Sequence, residues 1–128
     1  EEGISGSQSR ILHFLAQESE ERDVYQKDVE DFFCLRRSTV TQNLQSMEKN
    51  GLITRSSVTS DARLKKLVLT EQGMELEHRI HNRVQVMERV LSEDLTRAER
   101  EEFQSVLIKM SRKMEILGMN GKGDKDGC

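Results

Sequence analysis

Between Arg36 and Lys66 the chain gathers hydroxyls, amides and cations at regular spacing (RRSTVTQNLQSMEKNGLITRSSVTSDARLKK). Val40, Leu44 and Met47 recur at steps of four and three, so they share one face of a helix and pack inward. The opposite face carries Ser38, Gln42, Gln45, Ser46 and Lys49, with Thr39 at its edge. That surface is polar, mostly uncharged and rich in groups that both donate and accept. It suits hydrogen bonding to base edges in a major groove, where Gln can pair bidentately with adenine. Periodicity alone favours an ordinary solvated helix face. Arg36, Arg37, Lys49, Arg55, Lys65 and Lys66 read as phosphate contacts, which position a protein on a duplex without specifying sequence.

These residues need elements to hold them. The spacing predicts a helix that starts at Ser38, with its hydroxyl as cap, and ends at Asn50-Gly51, where glycine can take the left-handed conformation. Leu52 and Ile53 open a strand, Leu67 to Leu69 form its return partner, and residues 57–63 make a polar hairpin loop. A helix followed at once by a hairpin is the winged form of the helix-turn-helix. Upstream, residues 8–19 carry Ile11, Leu12, Leu15 and Ala16 on a helical stripe, with a cap signal at Ser5 or Ser7. Val24-Tyr25 leads into a short helix, residues 26–34, whose expected buried members are Val29, Phe32 and Phe33. Leu35-Arg36-Arg37 makes the turn into the next helix, so the second helix of the pair is presented outward. Downstream, Thr70 caps a long helix to about Leu91, with Leu76, Ile80, Val84, Met87 and Leu91 inward. Thr96 and Glu99 form a capping box. The helix after it carries Phe103, Leu107, Met110, Met114 and Leu117 as a packing seam.

Length and composition agree with this plan. A chain of 128 residues with 34% charged residues, 4% aromatics and no proline points to long helices over an aliphatic core. The net charge is −3, yet residues 36–66 hold seven basic and two acidic groups, whereas residues 1–35 hold three and nine. A basic segment on an acidic body can orient itself on a polyanion. No apolar run spans a bilayer and no secretory signal is present, so the expected location is cytoplasmic. Cys34 and Cys128 lack paired spacing, which suits a reducing compartment, and Cys34 reads as a small core residue. His78 and His81 stand three apart near Glu75 and Glu77, but no complete ligand set is visible and such histidines are usually solvated. No catalytic constellation, metal site or cofactor motif is read, so an enzyme is not expected.

The run STVTQNLQSMEKNGLI, then DAR, then LVLTEQG, resembles the MarR family of bacterial transcription regulators. Its specific parts are the S-T-V-T helix start, the M-E-K-N-G-L-I exit, the D-x-R wing tip and the L-T-x-x-G entry to the next helix. Each is weak alone; four in order are specific, and the resemblance extends from Ile4 to Leu117. It implies a mainly α fold with a small β-hairpin wing, a winged helix-turn-helix over residues 4–70, long dimerisation helices over 71–117 and a flexible tail at 118–128. It implies a homodimer on double-stranded DNA, a palindromic operator, repression, and a possible small-molecule effector in a cleft between the DNA-binding and dimer helices. It places Ser38, Thr39, Gln42, Gln45 and Ser46 as base readers and Arg63, the arginine of the D-x-R wing tip, in the minor groove. The narrow groove of A·T-rich DNA concentrates negative potential and attracts arginine. The family commonly has Arg where Gln42 stands, so a guanine preference there is not carried over. The resembling pattern also has one more helix ahead of residue 8, and we expect a segment preceding this stretch to complete the dimer interface. A protein-interaction module that kept the fold is the alternative.

Overall fold

The computed structural model describes residues 3–58 and 60–116, with the side chains of 61–63 and 115 set aside. Five helices and three strands follow in the order α1 (Gly6–Glu18), β1 (Val24–Tyr25), α2 (Gln26–Phe33), α3 (Arg37–Lys49), β2 (Ile53–Val58), β3 (Asp61–Leu69), α4 (Glu71–Ser92) and α5 (Arg97–Ile116). The described chain divides into two compact units on either side of His81 and Asn82, within α4.

In the first unit, the apolar stripes of α1, α2 and α3 meet over a small antiparallel sheet. Ile11, Leu12 and Leu15 of α1 and Val40, Leu44 and Met47 of α3 are almost wholly buried, together with Val29, Ile53 and Leu67. Phe14 joins them, whereas Ala16 is only half-buried. Ser5 caps α1 through its hydroxyl, which accepts from the Gln8 amide at 3.2 Å. The sheet runs β1-β3-β2, with Val24 opposite Leu67 and Arg55 opposite Leu67 on the other side. Strand β1 is a two-residue element that the sequence pattern hides, because it exists only through pairing with a strand forty residues on. The hairpin is longer than expected. Residues 57–63 are not a free loop: Ser57 pairs with Lys65 and Val58 with Asp61 across a register shift, so the strands run almost to the tip.

Two junctions set the pose of α3. Ser38 does not cap it; Arg36 is the extended N-cap residue, and its carbonyl accepts from the Val40 amide at 3.1 Å. The helix therefore starts a residue earlier, with Ser38 exposed in its first turn. At the other end Gly51 takes φ +74°, the Gly51 amide donates to Glu48 O and the Leu52 amide to Met47 O, closing a Schellman motif. Leu52 O then accepts from the Thr70 amide at 3.0 Å, while the Thr70 hydroxyl donates to Gly51 O and accepts from the Gly73 amide. The M-E-K-N-G-L-I and L-T-x-x-G motifs are thus two halves of one lock. It fastens the start of α4 to the end of α3.

Several expected core positions are on the surface. Phe32 is 60% exposed and Phe33 half-buried: Val29 and Phe33 share the inward face, and Phe32 turns out to lie against the rings of Phe14 and Phe33. On α4 only Leu76 and Ile80 pack against the core; Val84, Met87 and Leu91 are exposed, as are Phe103, Leu107, Met110 and Met114 of α5. Leu117 lies outside the described residues. The Thr96–Glu99 capping box is present in both directions, at 3.1 and 3.2 Å. The hydrogen bond that the Thr96 amide donates to the Glu99 carboxyl, seconded by the nearby Thr96 side chain, holds that carboxyl below its ordinary pKa. Cys34 is not a core thiol. It is half-buried, caps α2 in the left-handed conformation (φ 52°), and is not free.

Candidate nucleic-acid interface

Burying Val40, Leu44 and Met47 turns the other side of α3 outward. Ser38, Thr39, Gln42, Gln45 and Lys49 are exposed and Ser46 is half-buried at the edge. Steps of four, three and four from Ser38 through Gln42 and Gln45 to Lys49 align these groups along the axis of a 13-residue helix. Thr41 looks the other way: its hydroxyl accepts from the buried Gln26 amide of α2 at 2.8 Å. Gln26 was not singled out in the sequence, since a buried amide has no periodic signature. Its bond pins α2 to α3 and fixes how the helix-turn-helix pair presents its second member.

The cations separate into two groups. Arg36, Arg37 and Lys49 are exposed at the two ends of α3. The strand cations already have partners. Arg55 is ion-paired with Glu48, Lys65 donates to the Ser57 hydroxyl at 2.7 Å, and Lys66 meets Asp23 at 2.8 Å. That hydrogen bond to Asp23 raises the Lys66 pKa. Strand alternation also puts Lys65 and Lys66 on opposite faces of the hairpin, so they do not act on one surface. Arg63 belongs to β3, and its side chain lies outside the described residues, as does Thr59 at the tip.

Two further features lie in the first unit. A cleft of about 570 Å³ is bounded by Ala16 of α1, by Asp23, Lys66 and Val68 of the sheet region, and by Met74 and His78 of α4. His78 and His81 do not converge; the residues that do are His13, Glu77 and His81. His78 turns instead to the cleft. Nothing in the sequence links His13 to Glu77, which lies 64 positions on.

The sequence profile of the MarR family matches residues 2–64, which span the helix-turn-helix pair and most of the wing. No curated protein sequence matches the chain. Among solved structures, the chain is similar to MepR, a transcription regulator of the Staphylococcus aureus multidrug efflux pump MepA. The two are 25% identical, with a TM-score of 0.74 over 88% of this chain and 81% of that one. The chain belongs to the MarR family. This MarR-family chain is therefore, at the level of its family, a winged-helix transcription regulator and not an enzyme. The S. aureus MepR–DNA complex is also similar, at 26% identity and a TM-score of 0.72 over 87% of this chain and 79% of that one. A heme complex of the heme sensor PefR from Streptococcus agalactiae shares the fold, at 22% identity and a TM-score of 0.68 over 88% and 76%. No helix among the described residues is long and apolar enough to cross a membrane.

Proposed function

We propose that this MarR-family chain acts in the cytoplasm as a homodimer on double-stranded DNA and regulates transcription, most simply by occupying a promoter. The observation that carries the reading is the outward face of α3, with Ser38, Thr39, Gln42, Gln45 and Ser46 as base readers. MepR, a regulator of similar structure, has been solved bound to DNA, which supports the same use of this face. Residues 4–70 form the DNA-binding head and 71–117 the dimerisation region. Arg36, Arg37 and Lys49 are the leading phosphate contacts, with Arg55, Lys65 and Lys66 needing to leave their present partners first. Arg63 serves the flanking minor groove.

The dimer reading rests on exposure. Of the sixteen exposed large hydrophobics among the described residues, twelve lie between Val84 and Ile116, and no described residue after Ile80 is buried. A helical pair without a core of its own calls for a cover, and a second copy supplies one of matching pattern. The cleft beside Asp23, Lys66 and Met74 offers a small-molecule effector both an apolar floor and charged groups. Fluorescence anisotropy with duplex DNA at several salt concentrations tests the central step. The logarithm of affinity should fall with the logarithm of salt, with a slope of about −0.9 per phosphate contact. Affinity that ignores salt, or no binding at low salt, would leave a protein-interaction module as the better reading.

A further inference from the structure

We propose that His13, Glu77 and His81 form a binding site for a divalent transition-metal cation, zinc above all, tying α1 of the winged head to α4. Glu77 and His81 stand four apart on α4 and so share one face, and α1 brings His13 to the same place. One ligand atom from each lies within 4.8 Å of the other two. Two imidazoles and a carboxylate make a donor set that zinc accepts with three protein ligands and water in the fourth position. Bonds of about 2.0–2.1 Å in a tetrahedron place ligand atoms roughly 3.3 Å apart. The three ligand atoms, already within 4.8 Å of one another, stand close to that spacing.

The present contacts favour this assembly. The His13 Nδ1–H donates to Glu77 Oε1 at 2.9 Å, so one ligand pair is already closer than a metal requires. The rings of His13 and His81 lie nearly parallel, 9° apart in orientation, with centroids 6.0 Å apart. Glu77 is the least accessible of the first pair, its side chain 16% exposed against 53% for His13. A partly sheltered carboxylate beneath accessible imidazoles leaves a path for the ion from solvent. On binding at Nδ1, the cation takes the place of the proton there, and the neutral His13 imidazole carries its one proton on Nε2 instead. His78 is the internal control: it neighbours Glu77 in sequence but stands outside the cluster.

The test uses the full chain and zinc itself. Competition with a chromophoric chelator gives the zinc affinity, and cobalt(II) substitution reports coordination through its visible absorption. The expected result is one zinc per chain with a low-coordinate cobalt spectrum. His13→Gln and His81→Gln should each weaken zinc by more than the roughly 10–100-fold that loss of an outer-shell partner costs, whereas His78→Gln leaves it unchanged. Zinc should raise the melting temperature of the parent and of His78→Gln only. A metal-free melt of each variant confirms that it folds. Zinc affinity unchanged in His13→Gln and His81→Gln, or no zinc bound by the parent, would overturn the site and leave an ion pair. Neither readout involves DNA, so failure here is separate from failure of the DNA reading.

Discussion

Replacing Gly73 by alanine probes the junction that aims α3. A Cβ on Gly73 would sit 2.0 Å from the Leu52 carbonyl oxygen and 3.0 Å from its carbon. The obstacle is backbone, and it is held from two sides: Leu52 O accepts from the Thr70 amide at 3.0 Å, and the Leu52 amide donates to Met47 at 2.9 Å. To reach ordinary contact the start of α4 must retreat by more than an ångström. Overpacking of this kind costs about 1–3 kcal/mol, and loss of the Thr70 hydrogen bond adds about 1 kcal/mol. Alanine returns up to about 1 kcal/mol as the better helix former. The net expected loss is about 2 kcal/mol, read as a lower urea midpoint with unchanged slope in denaturation followed by far-UV ellipticity. Gly6→Ala in α1 is the matched control, because a Cβ there meets nothing within 4 Å. It should be neutral or mildly stabilising. A Gly73→Ala protein as stable as its parent would refute the lock between the two motifs.

Further outcomes are specific. Leu44→Ala, which empties a fully buried position, should cost about 2–5 kcal/mol in the same denaturation. Glu99→Gln should lower α5 helicity at neutral pH. Because the folded Glu99 pKa lies below its ordinary value, that advantage is present above the unfolded pKa and fades as pH falls through the folded one. The ellipticity difference between Glu99→Gln and parent should therefore vanish in strong acid; a difference that persists there would contradict the capping assignment. Gln42→Ala should change preference at one base pair per half-site by roughly 1–3 kcal/mol in selection experiments, and equal loss on all sequences would show that it reads nothing. Arg63→Ala should weaken binding chiefly at sites with A·T-rich flanks, and Arg37→Ala should flatten the salt slope more than Lys66→Ala, whose amine already faces Asp23.

What the sequence made legible was local. The inward stripe of α3, the Gly51 turn, the Thr96–Glu99 box and the Thr70 cap each depend on residues within a turn or two of one another. Their partners are near enough in sequence to leave a spacing. Strand β1 left none, because two residues become a strand only by pairing with Leu67 and Lys66. Phe32 was misplaced because steps of three and four are equally helical, and only the position of α1 decides which side is inside. The apolar stripes of α4 and α5 were legible; what fails is the expectation that Val84, Met87 and Leu91 face inward, since all three are exposed. The outward polar face of α3 was visible as a pattern, whereas the partners of Arg55, Lys65 and Lys66 were set by sheet pairing. The meeting of His13 with Glu77 and His81 had no sequence signal at all.

The central claim is that two copies of α3 read one duplex. Hydroxyl-radical footprinting of the chain on a duplex selected for tight binding, at a measured protein-to-DNA ratio, tests it most directly. The account predicts two chains per duplex and two protected half-sites related by a dyad, one helical turn or a multiple of about 10–10.5 base pairs apart. A single protected patch bound by one chain would contradict it.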